Sequence, residues 1–330
     1  MSGLGALGLL FLGLVATAAA QELRFFRIGT GSVSGTYFPI GGLIADIISH
    51  PPGARPCEEG GGCGVPGLIA IAQTSQGSID NIEAIERGDS ESGFAQSDVT
   101  FGAFTGTGVF AGRAPATRIR ALANLYPESV HLVVRTESGI AAVRDLAGKR
   151  VSLDRGGSGT RVDALLILDA FGLEEADLVP LEAGPADAVD LMEAGELDAF
   201  FLVAGYPAAA VAELTQRGTA RLLPLVGEEV TGLIQTYPFF SYDLIPFGTY
   251  RDLPAIETIS VGAQWLVSSE LEEEFVYRLT RALWRPEARE LLDLGHAKGR
   301  EITLETALDG VAIPLHPGAE RYYREVGLLQ

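Results

Sequence analysis

The 330-residue chain is 47% hydrophobic and holds 41 glycines, more apolar material than one core of ordinary size needs and enough for two α/β lobes. Its net charge of −19 repels phosphate backbones and anionic lipid surfaces, so nucleic acid is excluded as an expected partner.

Taken in chain order, the first feature is an apolar stretch from Leu4 to Val15, too short for a comfortable membrane span. Small residues follow, with Ala18 and Ala20 placed as a secretory cleavage site before Gln21. A signal peptide over residues 1–20 and a periplasmic location are therefore expected, although no Lys or Arg precedes the apolar run. Leu23 to Ile28 reads as a strand, and GTGSVSGTY, residues 29–37, as a glycine-rich turn that opens a helix. Cys57 and Cys63 flank a Glu-Glu-Gly-Gly-Gly spacer; in an oxidising compartment such a pair bridges, and a disulfide is expected. A zinc site would need four ligands, and beyond these two thiols only His50 is near in sequence.

Gly67 to Ala72 reads as a strand, Ser78 to Glu86 as a helix with Ser at its cap, and Ser92 to Gln96 as another strand. Ile119 to Leu125 and His131 to Arg135 read as two strands, and the Tyr-Pro-Glu-Ser-Val break between them suits a crossover between lobes. A second module follows: a strand at Arg150 to Leu153 runs into GGSGTR, residues 156–161, and a helix. Further strands are expected at Leu178–Leu181, Ala199–Val203 and Arg221–Val226, with helices at Pro185–Ala194 and Pro207–Arg217, where proline suits a helix start. Aromatic and proline punctuation begins near Tyr237, followed by a strand at Thr258–Val267 and helices from Ser269 and Gly318. The expected organisation is a first lobe of residues 21–128 and 237–330 around an inserted second lobe, 129–236.

Chemistry concentrates in the two glycine turns. Glycine permits close backbone approach, and the free N–H groups of a helix start favour a carboxylate or phosphate. Ser32, Ser34, Thr36, Ser158 and Thr160 add hydroxyls and Arg161 a guanidinium fork, although Ser and Thr at such places also cap their own helices. The first turn is not a dinucleotide fingerprint, because Ser34 stands where a third glycine is required. No Walker motif or nucleophile elbow occurs, and none of the four histidines has a metal-ligand spacing to another. His131, in VHLVVR, reads as a core or interface residue. The chain is expected to be no enzyme and to need no cofactor or metal.

Several segments together resemble the TAXI-type solute-binding subunits of TRAP transporters: IGTGSVSGTYFPIGGLIADII, TSQGSIDNIEAIERGDSESGFAQSDVT, LYPESVHLVVR, DLAGKRVSLDRGGSGTRVDALLIL, GELDAFFLVAGYP, IPFGTY and PLHPGAERYYREVG. The resemblance spans nearly the whole mature chain and implies a type II periplasmic-binding fold. It further implies an organic acid ligand such as glutamate or 2-oxoglutarate, and a separate membrane permease; a monomer is expected. The positions it carries over as pocket candidates are Thr30, Ser32, Ser34, Gly35, Thr36, Tyr37, Ser75, Asn81, Gln96, Tyr126, Glu128, Ser158, Gly159, Thr160, Arg161 and Gly205. Gln96 and Asn81 could instead hold turns, and Tyr126 could pack at the crossover. The stretch from His50 to Gly67 departs from the pattern. A sensing subunit that presents its solute to a membrane kinase is the alternative to transport.

Overall fold

The computed structural model describes residues 23–330; the expected signal peptide lies outside them. Short apolar strands alternate with helices, as the sequence predicts, and ten strands assemble into one sheet; separate apolar clusters gather on its two halves, and each half with its clusters is termed a lobe. Strands such as Ser92–Gln96 and Ala199–Ala204 are buried along their whole length, which is why they read as continuous apolar runs rather than alternating ones.

Two long strands carry the chain between the lobes. Ile119–Arg135 and Ile256–Ser268 run antiparallel to one another, with Glu128 opposite Val261 and Tyr126 opposite Ala263. At one end, Ile256–Ser268 pairs with Ser92–Gln96 of the first lobe; at the other, Ile119–Arg135 pairs with Ala199–Ala204 and Ala220–Leu223 of the second. The break expected over residues 126–130 is therefore not a break. The strand continues through Pro127, whose missing N–H is tolerated because pairing with Ala199–Ala204 begins only at Ser129.

The return to the first lobe also differs from expectation. Ser241–Ile245 forms a strand against the Ile256–Ser260 end of the second long strand. Phe240, Ile245, Tyr250 and Ile256 are buried in the apolar clusters that hold Val130, Val203 and Leu222. Residues 237 to about 260 thus pack with the second lobe, and the chain crosses back inside the strand Ile256–Ser268. The Ser241–Ile245 strand escaped the sequence reading because it is mostly exposed and shows no clear apolar alternation. Helices Ser97–Thr105, Glu228–Thr236 and Pro286–Gly295 were missed as well.

Each lobe packs apolar side chains on both faces of its part of the sheet, with Trp265, Phe26 and Phe94 central in the first and Phe200 and Phe201 in the second. His131 is buried as expected of a core residue. Its Nδ1–H donates to the Ser129 carbonyl at 2.9 Å, and its Nε2 accepts from the Tyr250 hydroxyl at 2.9 Å, which itself accepts from the Ala208 N–H. Burial pushes its pKa down to about 4. The neutral ring stabilises the fold above the unfolded value, and that contribution is lost as pH falls from about 6.5 to 4, by about 3 kcal/mol in all. Urea titrations at pH 7 and at about pH 4.5 check this: His131→Gln should lose markedly less stability on acidification than wild type.

Cys57 and Cys63 form the expected disulfide, with their Cα atoms 4.8 Å apart. The loop between them needs glycine at Gly61, where a Cβ would lie 1.7 Å from the Arg55 carbonyl oxygen. Arg285 donates to the Cys63 carbonyl at 2.6 Å and so ties the loop to the first lobe. Closing this small loop contributes roughly 2.4 kcal/mol by the chain-entropy relation. The double Cys→Ser variant should melt at lower temperature yet keep its ligand affinity, and alkylation of the native protein should find no free thiol.

Candidate functional site

A cavity of about 450 Å³ lies between the lobes. One wall comes from the first glycine turn, residues 74–78, Asp80, Gln96 and Glu128; the other comes from Asp154, Arg155, residues 158–160, residues 184–187 and Leu202–Ala204. Four helices begin in these walls: Tyr37–Ile48 and Ser78–Arg87 on one side, Gly159–Ala170 and Pro185–Glu193 on the other. Helix starts bring unsatisfied N–H groups and partial positive charge to the cavity. One of them is already occupied, since the N–H groups of Ile79 and Asp80 both donate to the Gly157 carbonyl across the cleft at 3.1 Å. Further bonds between the lobes join Ala210 N–H to the Ser34 carbonyl at 3.2 Å and Thr36 Oγ1 to the Gly205 carbonyl at 2.5 Å.

Many of the hydroxyls serve the protein itself. Ser158 Oγ accepts from the Thr160 N–H at 3.1 Å and donates to Asp154 at 2.7 Å, while Ser75 donates to the Thr30 carbonyl at 2.9 Å. Ser32 and Thr160 accept from the backbone N–H groups of Ser34 and Val203 and keep their hydroxyl hydrogens for other partners. Gln96 lines the cavity with a buried Oε1 that has no donor among the described residues. Gly159 sits directly against that amide, where a Cβ would stand 1.7 Å from Oε1.

The charges in the walls are mostly acidic. Burial pushes Glu128 up to about 8, with the Tyr37 hydroxyl donating to it at 2.6 Å, so its carboxyl is largely neutral at pH 7. Burial likewise pushes Asp154 up to about 6; its backbone is left-handed, with φ +74°, a conformation Asp tolerates better than most residues. Arg155, the cationic side chain of the lining, is tied to Asp187 at 2.5 Å. An anion placed in this cavity would therefore be attracted chiefly by backbone dipoles rather than by free guanidinium or ammonium groups.

A comparison of the sequence with known families finds that the profile of the NMT1-like family matches residues 28–327. The chain belongs to the NMT1-like family. This NMT1-like protein is similar in structure to the alkanesulfonate-binding protein SsuA of Xanthomonas axonopodis pv. citri bound to MOPS, at 21% identity over 92% of this chain and 85% of that one, with TM-score 0.50. It is also similar to a protein of Bordetella bronchiseptica RB50, at 15% identity over 92% and 83%, with TM-score 0.51. The fold is the α/β periplasmic-binding-protein fold that the sequence predicts.

Within the NMT1-like protein, ten of the predicted site residues line the cavity: Ser32, Gly35, Thr36, Tyr37, Ser75, Gln96, Glu128, Ser158, Gly159 and Thr160. The other six stand outside the lining. Thr30 is fully buried and bonds the Gln73 carbonyl, and Asn81 holds the Thr30 and Phe94 carbonyls at 2.7 and 2.8 Å. Ser34 and Gly205 contribute carbonyls to the bonds between the lobes, and Tyr126 is buried at the crossing. Arg161 turns away from the cavity and clasps Glu175 with contacts of 2.8 and 2.9 Å. Sequence reasoning missed Gln76, Ser78, Asp154, Arg155 and the Gly184–Asp187 turn. The last had a legible signal, a glycine and a proline at a helix start; the rest reach the cavity only through the way the lobes meet.

Among the described residues, the one grouping of His, Cys, Asp or Glu tight enough for a metal is Cys57, Cys63 and Glu287, and there the disulfide takes both sulfurs.

Proposed function

We propose that this NMT1-like protein is an exported solute-binding protein that captures a small anionic solute in the cavity between its lobes and hands it to a membrane permease. The observation that carries the reading is a 450 Å³ cavity built from both lobes at once, with helix starts from each in its lining. That volume falls within the roughly 300–1,000 Å³ of small-molecule sites. A solute that touches both walls favours the closed arrangement, and closure is a shape a permease can read. The anionic group is a carboxylate by the TAXI-like segments, which also favour a TRAP-type permease. A sulfonate is the second candidate, since SsuA of Xanthomonas is an alkanesulfonate-binding protein of the same fold.

Native mass spectrometry of freshly purified protein should reveal retained solute. Calorimetry against glutamate, 2-oxoglutarate and alkanesulfonates should then find one class that binds. Gln96→Ala removes a polar group from the cavity and should weaken that binding by about tenfold to a hundredfold. If no anion binds while neutral solutes do, the reading is wrong.

A further inference from the structure

Away from the hydroxyls and the glycine turns, the lobes also meet through two carboxyl groups that solute capture does not explain. Asp98 lies in the first turn of helix Ser97–Thr105 of the first lobe, and Asp163 lies in helix Gly159–Ala170 of the second. Asp163 is fully buried, and neither of its oxygens has a donor among the described residues; Asp98 Oδ1 is buried and equally without one. The two carboxyls lie within hydrogen-bonding reach of each other. Two carboxylates in contact, one fully buried and the other half-buried, resist ionising together, because repulsion adds to the loss of solvation. A single proton between them turns that repulsion into a charge-assisted O–H···O bond.

Among the described residues, the surroundings offer no other neutralising partner. From the crossing strand, Glu128 adds a third buried carboxyl whose field acts on Asp163. Glu128 accepts from Tyr37 and feels the ammonium of Lys298, but that ammonium is held by Glu301 at 3.0 Å and over the Tyr206 ring at 3.7 Å. Of the charged groups on the elements packed around the pair, Asp80 bonds the Gln76 N–H, Glu83 pairs with Arg113, Arg161 with Glu175 and Glu229 with Arg144. Asp98, Asp163 and Glu128 do not come together closely enough to form a metal-binding cluster.

We propose that Asp98 and Asp163 form a binding site for one proton that exists only while the lobes are together, so that closing the cleft takes a proton from solvent. With the lobes apart, each carboxyl is solvated and ionises in the ordinary aspartate range. With the lobes together, burial and mutual repulsion hold the pair's proton to higher pH. Between those two limits the ratio of closed to open forms falls about tenfold for each pH unit of rise, and below the ordinary range closure is at its most favourable. The inference rests on the solute-binding reading only in taking the lobes to separate.

The test needs no solute. Nitroxide labels on Asp89→Cys and Asp190→Cys, exposed positions of the two lobes, report the distance between lobes by electron–electron resonance from about pH 5 to 7, below the titration of Glu128 near 8. The wild-type background should shift from short to long distances as pH rises. Asp163→Asn supplies an amide donor that needs no proton and should stay closed throughout; Asp98→Asn should do the same and serves as the second variant if the first fails to fold. A wild-type distance that does not move with pH, or Asn variants that open in step with wild type, overturns the proposal. Normal pH-driven opening in a protein that binds no solute would defeat the solute-binding reading and leave this inference standing.

Discussion

Glu128→Gln is expected to make the protein several kcal/mol more stable at alkaline pH while changing little in acid. The Glu128 carboxyl is wholly buried, and burial raises its pKa from 4.5 to about 8. A carboxyl raised in the folded state contributes its full stability below the unfolded value, and that stability is lost as pH climbs through the folded one. At about 1.4 kcal/mol per pH unit, the loss across the window from 4.5 to 8 amounts to about 5 kcal/mol, of which solvent entry would recover part. Glutamine keeps an acceptor for the Tyr37 hydroxyl and has no proton to lose. Urea titrations at about pH 5 and 8 should show wild type losing stability across the interval and the variant losing far less. Equal losses would place Glu128 in contact with water. The sign is opposite to that for His131, which costs stability on the acid side.

Gly159→Val should abolish solute binding, by about a thousandfold or more, with little effect on the folding of either lobe. Gly159 is the first residue of its helix, and a Cβ there would stand 1.7 Å from Gln96 Oε1 and 2.7 Å from Ser78 Oγ. Both obstacles belong to the other lobe, so the added side chain props the cleft open instead of straining its own helix. Its neighbour Gly156 has nothing within 4 Å of a built Cβ, and Gly156→Val is the matched control. Thermal shift with a saturating ligand reads both: the control should gain stability on binding as wild type does, and Gly159→Val should gain none. A variant that still binds would mean that the solute is held without this contact between lobes.

Which parts of the molecule were legible in the sequence follows from how local their causes are. The α/β class, the strands Ser92–Gln96 and Ala199–Ala204, the helix starts after both glycine turns and the disulfide across a glycine spacer all come from short-range pattern and chain stiffness. Those forces act within a few residues, and the sequence alone determined them. The tertiary structure decided which hydroxyls remain free, because Ser158 chose Asp154 and Thr36 chose Gly205 across the cleft. It sent Arg161 to Glu175 rather than to the cavity, joined two expected strands through Pro127 into one, and moved the return crossing into Ile256–Ser268. It also brought Asp98 and Asp163, 65 positions apart in the chain, into one buried pair. Burial and lobe contact set each of these outcomes, and both depend on partners distant in the chain, to which hydrophobic period and motif spacing are blind.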